Sequence, residues 1–307
     1  MQMNSSAVKR YVKIGLFTIV LLIALLLRAG NAEARVLHPQ QQCSWTNVAV
    51  IGDASISQTP NASRNLYGIA MISATSAWAV GTYTPTQGPM QGTIYTYNGS
   101  YLNSYNPQLH LHPLYGVADT SASDVWAVGQ QILHFNGTSW RTYRNPGKVT
   151  LHSVAALTPQ DAWAAGSNVI EHWNGKKWRV VPNPATGTLS ALAAVSPKDI
   201  WAVGANGDLT QTFIEHWNGT SWSIVPSPNP GSSYNQLFGA TALTTNDVWA
   251  VGWSTNGQLI EHWDGTSWSV SPTQNGNPAL YGIAAFAAND IWAVGDWINY
   301  YYTLTDH

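Results

Sequence analysis

A Trp-Ala-Val-Gly segment, with Ala in place of Val in one copy, recurs six times in the 307-residue chain. Its tryptophans are Trp78, Trp126, Trp163, Trp201, Trp249 and Trp292, so successive copies are spaced by 48, 37, 38, 48 and 43 residues. A unit of that length holds about four short strands. One such unit cannot bury its own apolar faces, so the chain is constrained to pack successive copies against one another.

The fifth copy carries the pattern most fully. Asp247-Val248-Trp249-Ala250-Val251-Gly252 alternates as a strand does, with Trp249 and Val251 on one face and Val248, Ala250 and Gly252 on the other. Both faces are apolar, which predicts a strand inside a stack of sheets, with bulky Trp meeting Ala and Gly of a neighbour. Residues 259–263 form the next strand, Asp264-Gly265 reads as a two-residue type I′ turn, and residues 267–270 return. A further strand precedes each Trp segment, as in Leu66-Tyr67-Gly68-Ile69, Leu114-Tyr115-Gly116-Val117 and Leu280-Tyr281-Gly282-Ile283.

The two chain ends complement each other. Ser44-Trp45-Thr46-Asn47-Val48 matches the return strand Ser221-Trp222-Ser223-Ile224-Val225, while Leu304-Thr305-Asp306-His307 aligns with the third strand at Phe213-Ile214-Glu215-His216. The expected fold is therefore all-β: a six-bladed β-propeller of four-stranded blades, its ring closed by the N-terminal strand completing the C-terminal blade. Composition agrees, because 45% hydrophobic residues are broken into short runs by 26 Gly and 16 Pro while only 9% are charged. These motifs resemble the repeat β-propellers of the kelch and Asp-box kind, and most closely the tandem Trp-Ala-Val-Gly propellers of exported bacterial proteins, over residues 44–307. Such folds host enzymes, lectins and scaffolds alike, so function has to be argued from the site.

Lys9, Arg10 and Lys13 precede an apolar run at residues 14–27 that ends near Ala32-Glu33-Ala34. That is the pattern of a secretory signal peptide over residues 1–34, followed by a polar leader at 35–43 and the propeller at 44–307. The run falls short of the roughly 20 residues that span a bilayer, so the membrane enters only through an uncleaved signal anchor. The expected location is secreted or cell-surface, as a monomer. Without residues 1–34 the chain holds 9 basic and 14 acidic residues, a net charge near −5, which argues against nucleic acid as a partner. Cys43 is the single cysteine, so no intramolecular disulfide is available.

The ionisable residues fall mostly into repeated slots. Asp124, Asp161, Asp199, Asp247 and Asp290 precede the tryptophans, a placement expected to serve the turn. Glu171, Glu215, Glu261 and Asp306 share a second slot, and His134, His172, His216, His262 and His307 a third, where a hydrogen-bonding role is expected. Catalysis would need one special residue rather than several equivalents, and no paired carboxylates, nucleophile elbow or phosphate loop is present. His110-Leu111-His112 would need a third partner to bind a metal. Neither an enzyme nor a cofactor is expected.

The loops carry the remaining signal. Connections between first and second strands, and between third and fourth, are short and similar, whereas second-to-third connections and the links between copies vary. In an alternating blade the variable sets emerge on one rim, where a binding face would lie. Aromatics that the repeat does not require gather there: Trp253 and Trp297, with Tyr83, Tyr234 and Tyr300 and the polar Asn256, Gln258 and Asn299 beside them. Aromatic faces with flanking amides suit a carbohydrate or another cell-envelope polymer, which is the leading expectation; the alternative is a protein-interaction scaffold, and a glycan-processing enzyme comes third.

Overall fold

The computed structural model describes residues 49–51, 63–184, 186–272, 278–297 and 300–306. They form strands and no helix. Four antiparallel strands, Ser63–Ser73, Ser76–Thr84, Gln91–Tyr97 and Tyr101–Tyr105, build the first sheet. The second holds Leu114–Ser121, Asp124–Gly129, Ile132–Phe135 and Trp140–Tyr143, and the third Leu151–Thr158, Asp161–Gly166, Val169–Trp173 and Trp178–Val181. Gly187–Ser196, Asp199–Asn206, Thr212–Trp217 and Trp222–Ile224 form the fourth, and Asn235–Thr244, Asp247–Ser254, Gly257–Trp263 and Trp268–Val270 the fifth. In the sixth, Pro278–Ala287, Asp290–Trp297 and Tyr300–Asp306 are described. Within each sheet these strands follow chain order and are joined by hairpins.

The Trp segments do what their alternation requires. Trp201, Val203 and Ile214 of the fourth sheet pack on Leu237, Val248, Ala250, Leu259 and Trp268 of the fifth. Trp126 enters the third sheet in the same way, and Trp163 the fourth. Each wedge meets two rings at the far end of the next sheet: Trp126 lies 5.0 Å from Trp173 and 5.1 Å from Trp178, and Trp201 lies 4.9 Å from Trp263 and 5.4 Å from Trp268. The expectation of burial holds for Trp78, Trp126, Trp163 and Trp201, which are at most 6% exposed. Trp249 and Trp292 are only half-buried. Trp249 opens onto a cavity of about 280 Å³ between the fifth and sixth sheets, walled by Ile260, Ile283, Ile291 and Ala293.

Three local expectations are corrected. Ala49–Ile51 runs parallel to Tyr101–Tyr105 on the first sheet, pairing Ala49 with Tyr101, instead of lying beside Tyr300–Asp306. The reason is edge chemistry: the outer strand of any sheet presents unpaired backbone groups that an extended segment can satisfy. Residues 44–48 lie outside the described residues, as do residues 1–34, expected to be a signal peptide, and Cys43.

Second, Trp263 pairs with Trp268, which makes Asp264 to Ser267 a four-residue loop and not a two-residue turn. The Asp264 carboxylate accepts the backbone N–H groups of Thr266 at 2.8 Å and Ser267 at 2.9 Å, and Gly265 takes the left-handed conformation at φ 94°. An Asx side chain capping two N–H groups favours this wider loop.

Third, the motif glycine serves its own sheet and not only the neighbour. A Cβ on Gly204 would sit 1.8 Å from the Thr188 carbonyl oxygen, and one on Gly252 would sit 1.9 Å from that of Gln236. Directly opposite, the inner strand carries a β-bulge in every sheet.

Removing the Trp201 indole leaves a cavity between two packed sheets, so Trp201→Ala is expected to cost about 3–5 kcal/mol. Trp249→Ala, at a half-open interface, should cost less. Urea unfolding midpoints of both variants against the parent check this, and equal losses would contradict the wedge account.

Candidate functional site

Innermost strands of all six sheets line one central cavity of about 170 Å³. The bulge decides what faces it. In the first sheet Leu66 pairs with Gly81 and Gly68 with Val80, leaving Tyr67 as the extra residue. The same slip singles out Tyr115, His152, Ser190, Phe238 and Tyr281 in the following sheets, and all six positions line the cavity. A bulge bends the strand and re-aims one side chain, so this repeated slot becomes a collar. Each inner strand meets the slot near its start, on the side where the second-to-third connections and inter-sheet links emerge.

Five of the six collar residues are aromatic. Tyr67 and Tyr115 have ring centroids 5.2 Å apart, Tyr115 and His152 5.9 Å, and Phe238 and Tyr281 5.0 Å. Burial raises the Tyr115 hydroxyl above its ordinary value, with Tyr67 adding to the effect. Burial lowers His152, opposed by its hydrogen bond to the Leu189 carbonyl at 3.3 Å, so the ring is neutral at pH 7 with Nδ1 as donor. Sequence reasoning missed this collar. Its signal was the residue after each inner-strand Leu, which in three copies stands in a Leu-Tyr-Gly motif.

The residues expected at the site are not all brought together. On the fifth sheet Trp253 and Tyr234 are half-buried, their ring centroids 5.0 Å apart and inclined by 57°. The Tyr234 hydroxyl donates to Gln236, and Asn256 donates to the Pro230 carbonyl at 2.5 Å, tying the link at residues 226–234 to the hairpin beside it. Gln258 is 7% exposed and pairs with Trp253 across the strands. Tyr83 lies on the first sheet with the Arg64 guanidinium 4.6 Å over its ring. Trp297 and Tyr300 are paired neighbours in the sixth sheet, and Asn299 lies outside the described residues.

The Asp and His slots form one clamp. His172 Nε2 lies 2.8 Å from Asp161, and the same distance separates His216 from Asp199 and His262 from Asp247. A carboxylate only accepts, so Nε2 carries the proton. The imidazole stacks on the wedge indole, at 4.2 Å in Trp163–His172 and 4.0 Å in Trp249–His262. Turns are held instead by Ser or Thr, as where Thr158 Oγ1 accepts from the Gln160 N–H at 3.2 Å. Asp124, Asp161, Asp199 and Asp247 thus hold an Asp-His-Trp stack, repeated in four successive sheets with indole where a dyad would need a nucleophile, while Asp124 also accepts from Thr120 Oγ1 within its turn. The rings of His110 and His112 touch at 5.0 Å, and no group of three His, Cys, Asp or Glu able to hold a metal occurs among the described residues.

Glu171, Glu215 and Glu261 are fully buried between sheets. Burial pushes Glu171 and Glu215 up to about 7, opposed by hydrogen bonds from the Gly147 N–H and the Asn183 amide respectively. Glu261, pushed up to about 8 by burial, has no hydrogen-bond partner for either oxygen among the described residues. Raised carboxyls often mark catalytic sites, but these sit in three separate interfaces with no second acid. Because the folded values exceed the ordinary 4.5, the stabilisation is complete at acid pH and is lost as pH rises toward 8. The second sheet carries Leu133 in the same slot, opposite Ala127. Glu261→Leu is expected to add about 1–3 kcal/mol at pH 8 and to flatten the decline between pH 5 and 8, read by urea unfolding at both pH values. An unchanged slope would contradict the assignment.

Neither a protein-family profile nor a curated protein matches the chain in sequence. Among solved structures it is similar to YCF48 bound to D1 peptide, at 18% identity and a TM-score of 0.57 over 75% of this chain and 74% of that one. It is also similar to YCF48 from Cyanidioschyzon merolae, at 16% identity and a TM-score of 0.52 over 76% and 77% of the two chains. The WD40 β-propeller domain of Doa1 aligns at 9% identity with a TM-score of 0.53, over 77% of this chain and 91% of that one. The chain shares with them the β-propeller fold of four-stranded antiparallel blades.

Proposed function

We propose that the protein is a non-catalytic binding scaffold whose partner is a protein or peptide, held on the rim where the collar and the variable links emerge. The observation that carries this reading is the asymmetry of the two rims. One is built from near-identical turns held by Ser, Thr and Asx caps. Its opposite bears links of different length, the Trp253–Tyr234 pair and the mouth of the aromatic-lined cavity. Rigid strands that present individual loops suit recognition of an extended chain. That one similar propeller is YCF48 bound to D1 peptide supports a peptide as the class of partner.

Absence of chemistry in the repeated slots also favours a scaffold. The His–Asp pairs are occupied by stacking on tryptophan, and the buried carboxyls stand apart from one another. Carbohydrate is the second reading, favoured by the half-buried Trp253 ring. Its weakness is geometric: Tyr234 is inclined 57° to Trp253, so the two give no common platform for a sugar face. Export to the cell surface rests on the basic and apolar pattern of residues 9–34.

Selection of peptides from a display library against the full chain tests the proposal. Enriched peptides are expected to lose about tenfold or more in affinity on Trp253→Ala, with the melting temperature unchanged. Equal affinity for the variant would remove the rim from the binding reaction. Enrichment of nothing, together with binding of envelope polysaccharide lost in Trp253→Ala, would replace the peptide by a glycan.

A further inference from the structure

We propose that the collar of Tyr67, Tyr115, His152, Phe238 and Tyr281 is a cage for a quaternary ammonium group. The inference deepens the scaffold reading, because it rests on the rim at the cavity mouth being the binding face and names the chemistry taken up there.

Spacing is the first argument. Three pairs of neighbouring collar rings, Tyr67–Tyr115, Tyr115–His152 and Phe238–Tyr281, are 5.0 to 5.9 Å apart. A cation in the cavity between rings so spaced would lie within the ~6 Å over which a ring attracts a cation. The cavity, about 170 Å³, is several times the ~30 Å³ share of one water and below the ~300 Å³ of a drug-sized site. It suits a compact group such as trimethylammonium.

Lining chemistry is the second. Among the described residues no Lys, Arg, Asp or Glu contributes to the cavity wall. A primary ammonium entering would lose hydration without carboxylates to replace it, whereas a quaternary ammonium donates no hydrogen bonds and loses little. An anion would meet the negative faces of the rings. The wall's titratable side chains are three tyrosines and His152, which faces Tyr115 at 5.9 Å and donates to the Leu189 carbonyl. Neutral at pH 7, that imidazole adds an aromatic ring to the wall rather than a repelling charge.

Asymmetry is the third. Ser190 is the one collar position without a ring, so a small side chain stands in the wall between His152 and Phe238. The fourth inner strand thereby leaves room for whatever carries the ammonium group. Filling that gap should obstruct entry while leaving the remaining rings in place.

The chemistry has two sources, a small free cation of the choline type and a trimethylated lysine side chain. Calorimetric titration of the full chain with choline is expected to show binding, and its neutral carbon isostere 3,3-dimethylbutan-1-ol should bind at least about tenfold more weakly. Tyr115→Leu and Phe238→Leu should each reduce choline binding about tenfold, and Ser190→Phe should reduce it as well. Binding should also fall as acid protonates His152, and that fall should vanish in His152→Asn. A trimethyl-lysine peptide binding at least about tenfold more tightly than both its unmethylated form and choline assigns the cation to a protein; choline binding alone assigns it to a small molecule.

Equal affinity for choline and its isostere would overturn the cage, as would unchanged binding in Tyr115→Leu and Phe238→Leu variants that melt like the parent. If neither cation source binds, the cage fails, and library peptides that still depend on Trp253 then leave the scaffold reading standing.

Discussion

Everything in the molecule depends on an indole inserted between two sheets. Trp126 and Trp201 are almost wholly buried, each bedded on a small alanine of the next sheet and closed in by two rings at its far end. The wedge can work because Ala164 or Ala250 stands opposite, where a larger side chain would hold the sheets apart. Behind it, a histidine stacks on the indole and is itself held by an aspartate. Sheet spacing is thus set by a three-residue stack that the second to fifth copies of the repeat each supply anew.

That repetition explains why conspicuous ionisable residues do so little chemistry. A His–Asp pair 2.8 Å apart would suggest a dyad if it occurred once beside a nucleophile. Here it recurs against tryptophan, and its effect is to orient an aromatic ring. The buried Glu row is comparable: Glu171 and Glu215 keep one partner each, while Glu261 lies between Ala250 and Val270 in register and is kept neutral by its surroundings. Leu133 at the equivalent point of the second sheet indicates that the slot needs bulk more than charge.

One glycine-dependent contact, repeated from sheet to sheet, converts this regular stack into a structure with a distinct mouth. Gly252 lets the Gln236 carbonyl come so close that no Cβ could fit, and the pinched inner strand bulges at Phe238. Repeated in all six sheets, the same pinch turns a residue that would otherwise alternate into the sheet toward the central cavity. The collar is therefore a by-product of backbone packing that the chain fills with aromatic side chains at five of six positions.

The repeat length, the two apolar faces of Asp247 to Gly252 and the burial of Trp201 were all legible in the amino-acid order, because strand alternation is a local property with a period of two. Trp253 and Tyr234 were also legible as an unusual aromatic concentration, since they break the repeat. The burial of Gln258 and the Arg64 cover over Tyr83 were not, as each depends on which strand lies opposite. The sequence by itself determined the strands, their order and the side each Trp would occupy. Only the tertiary structure decided that Tyr67, Tyr115, His152, Ser190, Phe238 and Tyr281 share one cavity, because bulges interrupt alternation and residues far apart in the chain meet only after the sheets have packed.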